Sequence, residues 1–475
     1  MNQRLLALYH RLPAGARSAA ATARGLYLRF WRVGPDSESL RGDALARETW
    51  TPEAWRAWRD ERLARLLHRA ATRVPYYRTH WEARRRRGDR ASWELLAHWP
   101  VLDKHAVREH PHAFLADDCN PRAMCREQTS GTTGTALDVW RSRVTVRTLY
   151  AIARARTVLW HGIPLGARWA RIGGQMITPV TQRRPPFWVW NGAMGQLYLS
   201  AYHLAPDLIP HYLDALVRYR IVYLAGYTSS LCALAEAALR LGRQDLTMAA
   251  AFTNAEPVSA EQRAVIEAAF QCRVRETYGM AETVAAASEC PAGRLHQWPE
   301  IGHLEVRDGE GPAPADATGE FLCTGLLNQD MPLIRYRVGD RGQLAPESDQ
   351  CDCGRTLPLI AGVEGRTTDL LLTPDCREVF WLNPVLYGLP VRESQIVQEA
   401  LDRVHVRVAP GPGFDEACVR RIVTRLEQRL GAVAVDVELV DQVPRTANGK
   451  VRAVVCRLSA EERERARRSL STGVA

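Results

Sequence analysis

Five stretches of this sequence carry residue types that chemistry can use. The first is Gln128-Thr129-Ser130-Gly131-Thr132-Thr133-Gly134-Thr135, in which two glycines and five hydroxyls follow the glutamine. Backbone N–H groups and hydroxyls in such a loop can wrap a triphosphate. No lysine follows Gly134, so the GxxxxGK[ST] phosphate loop is excluded, and a plain linker is the other reading. The second is Thr277-Tyr278-Gly279-Met280-Ala281-Glu282, whose glutamate could hold Mg²⁺ through oxygen. The third, Met331 to Asp340, reads as a strand ending in Gly339-Asp340, and a carboxylate there can accept from two vicinal ribose hydroxyls. The fourth, Gly365-Arg366-Thr367-Thr368-Asp369, is a candidate hinge, and the fifth is the polar loop Pro444 to Lys450.

That last lysine stands out. The chain has 63 basic residues, of which only Lys104 and Lys450 are lysines. A lysine kept against such an arginine bias suggests a compact point charge where a planar fork does not serve. Chance retention is the alternative for each, and Lys450 is the better candidate because of its loop.

The 11 cysteines supply another constellation. Cys351-Asp352-Cys353-Gly354 is a tight pair, and Cys290 and His296 lie upstream. Three thiolates and an imidazole suit tetrahedral zinc; two free thiols in a turn and a surface histidine are the alternative.

The elements that must position these residues are partly legible. Residues 1–100 read as mostly helical, with an apolar stripe of Trp55, Trp58, Leu63, Leu66 and Leu67 that ends at Val74-Pro75. Asp103 is a candidate N-cap for a helix starting at Lys104. From about residue 125, strands alternate with helices: Ile221 to Gly226, Leu231 to Leu241, Met248 to Thr253, Ser259 to Phe270. This rhythm predicts an α/β fold with a parallel sheet. Beyond Gly365 it becomes strand, strand, helix, strand: Ser394 to Glu399, Val404 to Val408, Glu416 to Leu430, Val433 to Val440. The expected organisation is a large α/β N-terminal domain with a helical lead segment, plus a small α+β C-terminal domain. Its boundaries are 1–100, 101–365 and 366–475.

Composition narrows the function. Residues 1–100 hold 20 arginines against 10 acidic residues, and the remainder is neutral, so the net charge of +10 belongs to the N-terminal fifth. A whole-surface field for nucleic acid is not expected. The run Arg84-Arg85-Arg86-Arg87 reads as a solvated helix end, with an anionic membrane or RNA contact as the alternative. No apolar run reaches the length of a membrane span. Arginines interrupt any signal-like core at the N-terminus, and the odd, scattered cysteines speak against a disulfide framework, so a cytoplasmic protein is expected. Leu5, Leu8, Tyr9 and Leu12, followed by Leu26, Leu28, Phe30 and Trp31, could pack on the protein's own body or rest on a membrane or partner.

In this order and spacing, the five stretches resemble those of the adenylate-forming superfamily of acyl-CoA synthetases, adenylation domains and luciferases. The nearer resemblance is to the phenylacetate–CoA ligase branch and, within it, to the capsule-biosynthesis-associated, CapK-like proteins. Leu8 to Pro13, Val74 to Tyr77, Pro100 to Lys104, Gly226 to Ser230, Asn254 to Pro257 and Ile396 to Gln398 add to it. The resemblance implies that Thr129, Ser130, Gly131, Thr132, Thr133 and Gly134 hold the ATP phosphates. Ala255, Glu256 and Pro257, with Thr277, Tyr278 and Gly279, would border adenine and the acyl carboxylate. Glu282 would bind Mg²⁺, Asp340 and Arg366 would meet ribose, Tyr227 would line the substrate pocket, and Lys450 would act at the α-phosphate. The resemblance to some proteins of this branch also implies a zinc on Cys290, His296, Cys351 and Cys353. The implied activity is ATP-dependent adenylation of a small carboxylic acid, then acyl transfer to CoA. An amine or sugar acceptor, or a non-catalytic nucleotide-binding descendant, is the alternative. This chain departs from the family at Thr368, where an acidic hinge residue is usual, at Ala281, where threonine is usual, and at Thr135-Ala136, where Lys-Pro is common.

Overall fold

The computed structural model describes the chain apart from residues 1–2, 129–136, 259, 309–310, 314–316, 365–370, 376, 380–381, 387, 412, 442, 445–453, 460 and 464–475. Five helices lead: Gln3–His10, Ala14–Arg32, Ser37–Ala46, Pro52–Arg73 and Pro75–Arg86. The fourth starts where Thr51 accepts from the Ala54 N–H with Pro52 in its first turn, and it buries Trp55, Leu66 and Leu67. The restricted backbone before Pro75 ends it at Arg73. Arg84, Arg85 and Arg86 occupy the last turn of the next helix, where positive charge suits the dipole.

The body is a thirteen-stranded sheet among the described residues. Gln196–Ser200, Trp169–Gly173, Tyr223–Tyr227, Ala250–Asn254 and Arg273–Gly279 run parallel as neighbours in that order, with Trp188–Asn191 antiparallel at the edge. Helices Ile209–Arg218, Thr228–Arg240 and Ala260–Phe270 cross between them, as parallel pairing requires. Gly226 has no room for a side chain, because Ile172 of the adjoining strand lies against it. The expected parallel sheet is only half of what forms. From Ala286 onward, seven strands continue it antiparallel through Leu295–Gln297, Leu359–Glu364, Tyr336–Leu344, Gly319–Gly325, Gly302–Asp308 and Gly311–Pro312.

The C-terminal part has its own four-stranded sheet, ordered Ala434–Leu439, Arg403–Pro410, Val391–Ala400, Val454–Cys456. Helix Glu416–Leu430 buries Cys418, Ile422, Leu426 and Leu430, one face at i, i+4 spacing. This core also takes in Val180 and Tyr202 of the larger part. The fold is therefore a large α/β domain with a helical lead segment and a small α+β C-terminal domain. The expected boundary at 365/366 and the candidate hinge lie outside the described residues.

Candidate active site and metal cluster

In open α/β sheets, ligands bind beyond the carboxyl ends of the strands. Three of the sequence-predicted stretches end there, side by side. Tyr227 closes its strand and pairs across to Asn254, and Thr253 pairs across to Glu276, so the three strand ends are neighbours at ~4.8 Å steps. Tyr227 is buried, and burial raises its phenol well above the usual value. Ala255 turns the chain in the left-handed region at φ 64, an uncommon conformation for a residue with a side chain. That turn, just before Pro257, delivers the Glu256 carboxylate to the start of helix Thr228–Arg240. There it accepts from the Ser229 N–H at 2.8 Å, while the Glu256 carbonyl accepts from Thr228 at 3.1 Å. Thr277 is anchored by donating to the Thr253 carbonyl at 2.7 Å. Tyr278, just before Gly279, donates to Asp340 at 3.1 Å across 62 residues of sequence.

Glu282 is buried, and its Oε1 accepts from Lys104 Nζ at 2.8 Å and from the Tyr336 hydroxyl at 3.0 Å. Burial alone would raise its carboxyl; the Lys104 ammonium and these hydrogen bonds outweigh that and hold it below the ordinary carboxylate value. The backbone explains how Lys104 arrives. The Leu102 N–H bonds to the Arg335 carbonyl and its carbonyl accepts from Arg337 N–H, at 3.0 and 2.9 Å, in a short bridge beside Tyr336. Asp103 occupies the N-cap position of the helix Lys104–Glu109 as expected, but its side chain makes no cap bond and pairs instead with Arg337 at 2.8 Å. Thr283, also left-handed at φ 58, accepts from Arg141 Nη1 at 2.9 Å. Arg141 lies at the base of the hairpin Cys125–Gln128 and Asp138–Arg141, where it pairs with Glu127. That hairpin sets Gln128 opposite Asp138 on either side of the candidate phosphate loop.

Thr129, Ser130, Gly131, Thr132, Thr133, Gly134, Arg366 and Lys450 lie outside the described residues. Lys104, Tyr336 and Arg141 were not singled out as site residues from the sequence; for Lys104 the signal was lysine scarcity. Trp188 and Trp190 lie on the edge strand, where Trp190 stacks on Tyr219 at 5.2 Å between centroids.

The cysteine constellation converges. One ligand atom from each of Cys290, His296, Cys351 and Cys353 lies within 4.8 Å of the other three. The Cys290 and Cys351 sulfurs are 3.6 Å apart, and Cys353 Sγ is 3.3 Å from His296 Nε2. Tetrahedral zinc with ~2.3 Å bonds to sulfur holds its ligands at about such separations, so the donor set fits the metal. His296 Nδ1 lies 3.2 Å from the Leu357 carbonyl, and donating there leaves Nε2 as the metal-facing nitrogen. One residue between Cys351 and Cys353 suffices because the chain turns, the Gly354 N–H bonding back to the Cys351 carbonyl. Thr277 and Ser288 are partners in the antiparallel pair, so Cys290 lies toward Arg275, ~13 Å along the strand from Gly279. The cluster is therefore at the other end of the strands from Glu282.

Comparisons with known proteins agree with this architecture. The CapK C-terminal domain family matches residues 381–457. Protein CapK of Staphylococcus aureus is 26% identical over 371 residues, covering 75% of this chain and 79% of its own. A phenylacetate–coenzyme A ligase of Thermus thermophilus is 27% identical over 454 residues, covering 86% and 98%. The crystal structure of 2-hydroxyisobutyryl-CoA ligase in the thioesterification state superposes with a TM-score of 0.56 at 22% identity, covering 90% of this chain and 94% of that one. In fold and sequence together, the chain resembles the adenylate-forming superfamily, in its phenylacetate–CoA ligase-like branch alongside CapK.

Proposed function

We propose that the chain is an ATP-dependent, AMP-forming ligase for a small carboxylic acid, with CoA as acyl acceptor. The observation that carries this reading is the convergence of Tyr227, Ala255, Glu256, Thr277, Tyr278 and Glu282 at the carboxyl ends of the parallel strands, with Asp340 tied in through Tyr278. A relative named phenylacetate–coenzyme A ligase, and a fold match solved with 2-HIB-AMP and CoA, support it. A carboxylate oxygen attacks the α-phosphorus of ATP, and the bond to pyrophosphate breaks. The CoA thiol then attacks the acyl carbon, loses its proton, and AMP leaves. Each half-reaction spreads charge over the phosphate, so fixed positive groups contribute most in the transition state.

In this reading, Thr129 to Gly134 hold the β- and γ-phosphates and Lys450 meets the α-phosphate. Asp340 and Arg366 hold ribose, and Tyr227 borders the acid. Glu282 is the residue that would hold Mg²⁺, whose charge would neutralise phosphate oxygens. Cys290, His296, Cys351 and Cys353 would hold a structural zinc. Residues 366–475 would move as a unit about Arg366 to Thr368, carrying Lys450 toward and away from the nucleotide. The enzyme would work in the cytoplasm, where ATP and CoA are present.

The test is pyrophosphate release over a panel of carboxylic acids, with and without CoA. At least one acid should give ATP-dependent release and a CoA thioester. Release from no acid would reject the ligase reading, and release with no thioester would move the acceptor to an amine or sugar. Lys450→Ala should lower adenylation ~10²-fold or more. Lys450→Arg should be nearly as poor, since a fork does not replace a point charge; wild-type rates in that variant would remove Lys450 from the chemistry.

A further inference from the structure

We propose that the N-terminal helices form an interfacial surface that rests on an anionic lipid bilayer. This goes beyond the ligase reading and does not depend on it. Among the described residues, thirteen large apolar side chains are exposed, and eight of them are Leu5, Leu8, Leu12, Leu26, Tyr27, Phe30, Val33 and Val144. Leu8 is 62% exposed, Leu26 59%, Phe30 51% and Val144 67%, values far outside those of a packed face.

Helix Ala14–Arg32 shows how the patch is held outward. Ser18 and Thr22 bond the edge strand, accepting from the Trp190 N–H at 3.2 Å and the Gly192 N–H at 3.0 Å, and Gly25 lies against Asn191. Leu26, Tyr27, Phe30 and Val33 follow i, i+1, i+4, i+7 spacing and so form a different face of the same helix. The Arg143 guanidinium sits 3.9 Å from the Phe30 ring centroid, which joins the start of helix Arg143–Arg156, and with it Val144, to the patch. Arg24 lies over Tyr27 at 4.7 Å.

Charge selects the occupant. Residues 1–35 contain six arginines, of which Arg17 is buried, and no acidic residue. A two-fold contact with a second copy would set these arginines against themselves. A nucleic-acid backbone would take the arginines but gives the aliphatic row nothing to bury against. An anionic bilayer takes both: apolar side chains enter the acyl boundary by ~5–10 Å, and arginines and aromatic rings stay at the headgroups. No helix among the described residues is long and apolar enough to cross a membrane, so this surface would lie on the bilayer.

The experiment is co-sedimentation of the full chain with vesicles of phosphatidylcholine, alone or with phosphatidylglycerol added. Binding should need the anionic lipid and weaken with salt. Leu26→Ser combined with Phe30→Ser should lower partitioning ~10-fold or more, and Arg24→Gln and Arg29→Gln about five-fold each. The arginine variants remove no buried contact and decide the matter even if the apolar pair impairs folding. No binding, or equal binding to both vesicle types, would overturn the proposal. So would a concentration-dependent dimer that the Leu26/Phe30 variant abolishes, which would make the surface a self-interface.

Discussion

Strands Arg273–Gly279 and Ala286–Glu289 form one antiparallel pair whose two ends do opposite things. Just past Gly279, Glu282 is a buried carboxylate met by an ammonium and a phenol, and left-handed Thr283 follows it. Just past Glu289, Cys290 joins three other soft ligands in a braced pocket. Arg156 forks onto Glu300 at 2.6 and 2.8 Å, and Glu48 accepts from Trp160 and Arg355 at 2.7 and 2.9 Å. Trp160 in turn packs edge-on to His296. One end holds a buried carboxylate compensated by the Lys104 ammonium and the Tyr336 hydroxyl. The other end is cross-tied from four parts of the chain, as a site that only has to stay in place would be.

The strongest way to break this contrast is to test the proposed zinc. Purified protein should hold about one zinc per chain. Chelation or Cys351→Ser should cost on the order of 5 kcal/mol of stability or more, given the size of metal contributions to folding. The KM for ATP should hold at temperatures where the protein stays folded. Metal analysis at well under half an equivalent in chelator-free protein would reject the zinc, and an early loss of ATP affinity would reject the separation of the two ends.

The charged end should break differently. Lys104→Met leaves the Glu282 carboxylate buried beside Tyr336 without its ammonium, a loss that costs ~3–5 kcal/mol for buried pairs. The pH response should invert. In the native protein Glu282 is held below its ordinary value, so its contribution is present above that value and lost as pH falls through the depressed one. In the variant, burial is left to raise the carboxyl, so the variant should regain stability relative to wild type as pH falls. Glu282→Gln added to Lys104→Met should recover much of the loss. Thermal melts of the wild type and the two variants across acid pH check this, and an unchanged melt in Lys104→Met would show that the ion pair is not what compensates Glu282.

These two regions also show what a sequence discloses. Helix Glu416–Leu430 was readable to the residue, because Asp415 caps it by accepting from the Cys418 N–H and Gly431 ends it at φ 84. The strands that lead to Tyr227 and Asn254 were readable because apolar runs alternate with helices, whereas Arg273–Gly279 was read only as a motif and not as a strand. The antiparallel half was not: Ala286–Glu289 is short, small and without alternation, and its place is set by partners such as Ser288 to Arg156 across 132 residues. The cluster of Cys290, His296, Cys351 and Cys353 was readable because its chemistry is rare. Lys104 and Glu282, 178 residues apart, meet through tertiary contacts such as the bridge at Leu102 and the Asp103–Arg337 pair, and no local spacing encodes that.

A third test concerns a buried imidazole at the carboxyl end of the sheet. His203 follows the strand Gln196–Ser200 at its carboxyl end, where it lies 2.9 Å from Ser200 Oγ and 3.0 Å from the Pro179 carbonyl. Burial pushes it down to about 4, with the Arg377 and Arg183 charges adding to the shift and Asp375 opposing it. The unfolded chain then binds more protons between pH ~6.5 and ~4, so stability falls as pH drops through that window, by ~3 kcal/mol in all. His203→Gln should be less stable at neutral pH but flatter from pH 6.5 to 4. An equally steep slope in the variant would assign the acid sensitivity to other groups.

The smallest effect concerns how the C-terminal part is held to the large domain. Two arginines bridge it. Arg377 is buried, donating to the Tyr202 carbonyl at 2.5 Å and to the Arg429 and Leu430 carbonyls at 3.0 and 3.2 Å, so it closes the end of helix Glu416–Leu430 against the larger part. Arg183 makes its pairs with Asp375 and Asp207 at the surface, at 3.1 and 2.6 Å. Exposed pairs contribute ~0–1 kcal/mol because water and salt screen them, so Arg183→Gln should shift stability by less than ~1 kcal/mol and leave adenylation unchanged. Arg377→Met strips three buried carbonyls of their donor at once, and at ~1–3 kcal/mol for each unsatisfied group it should cost several times more. If the small domain swings during turnover, the Tyr202 contact must open in every cycle, and Arg377→Met should then alter the balance of the two half-reactions as well as stability. Equal, small effects from both arginines would mean that the apolar contact of Val180 and Tyr202 holds the parts together without them.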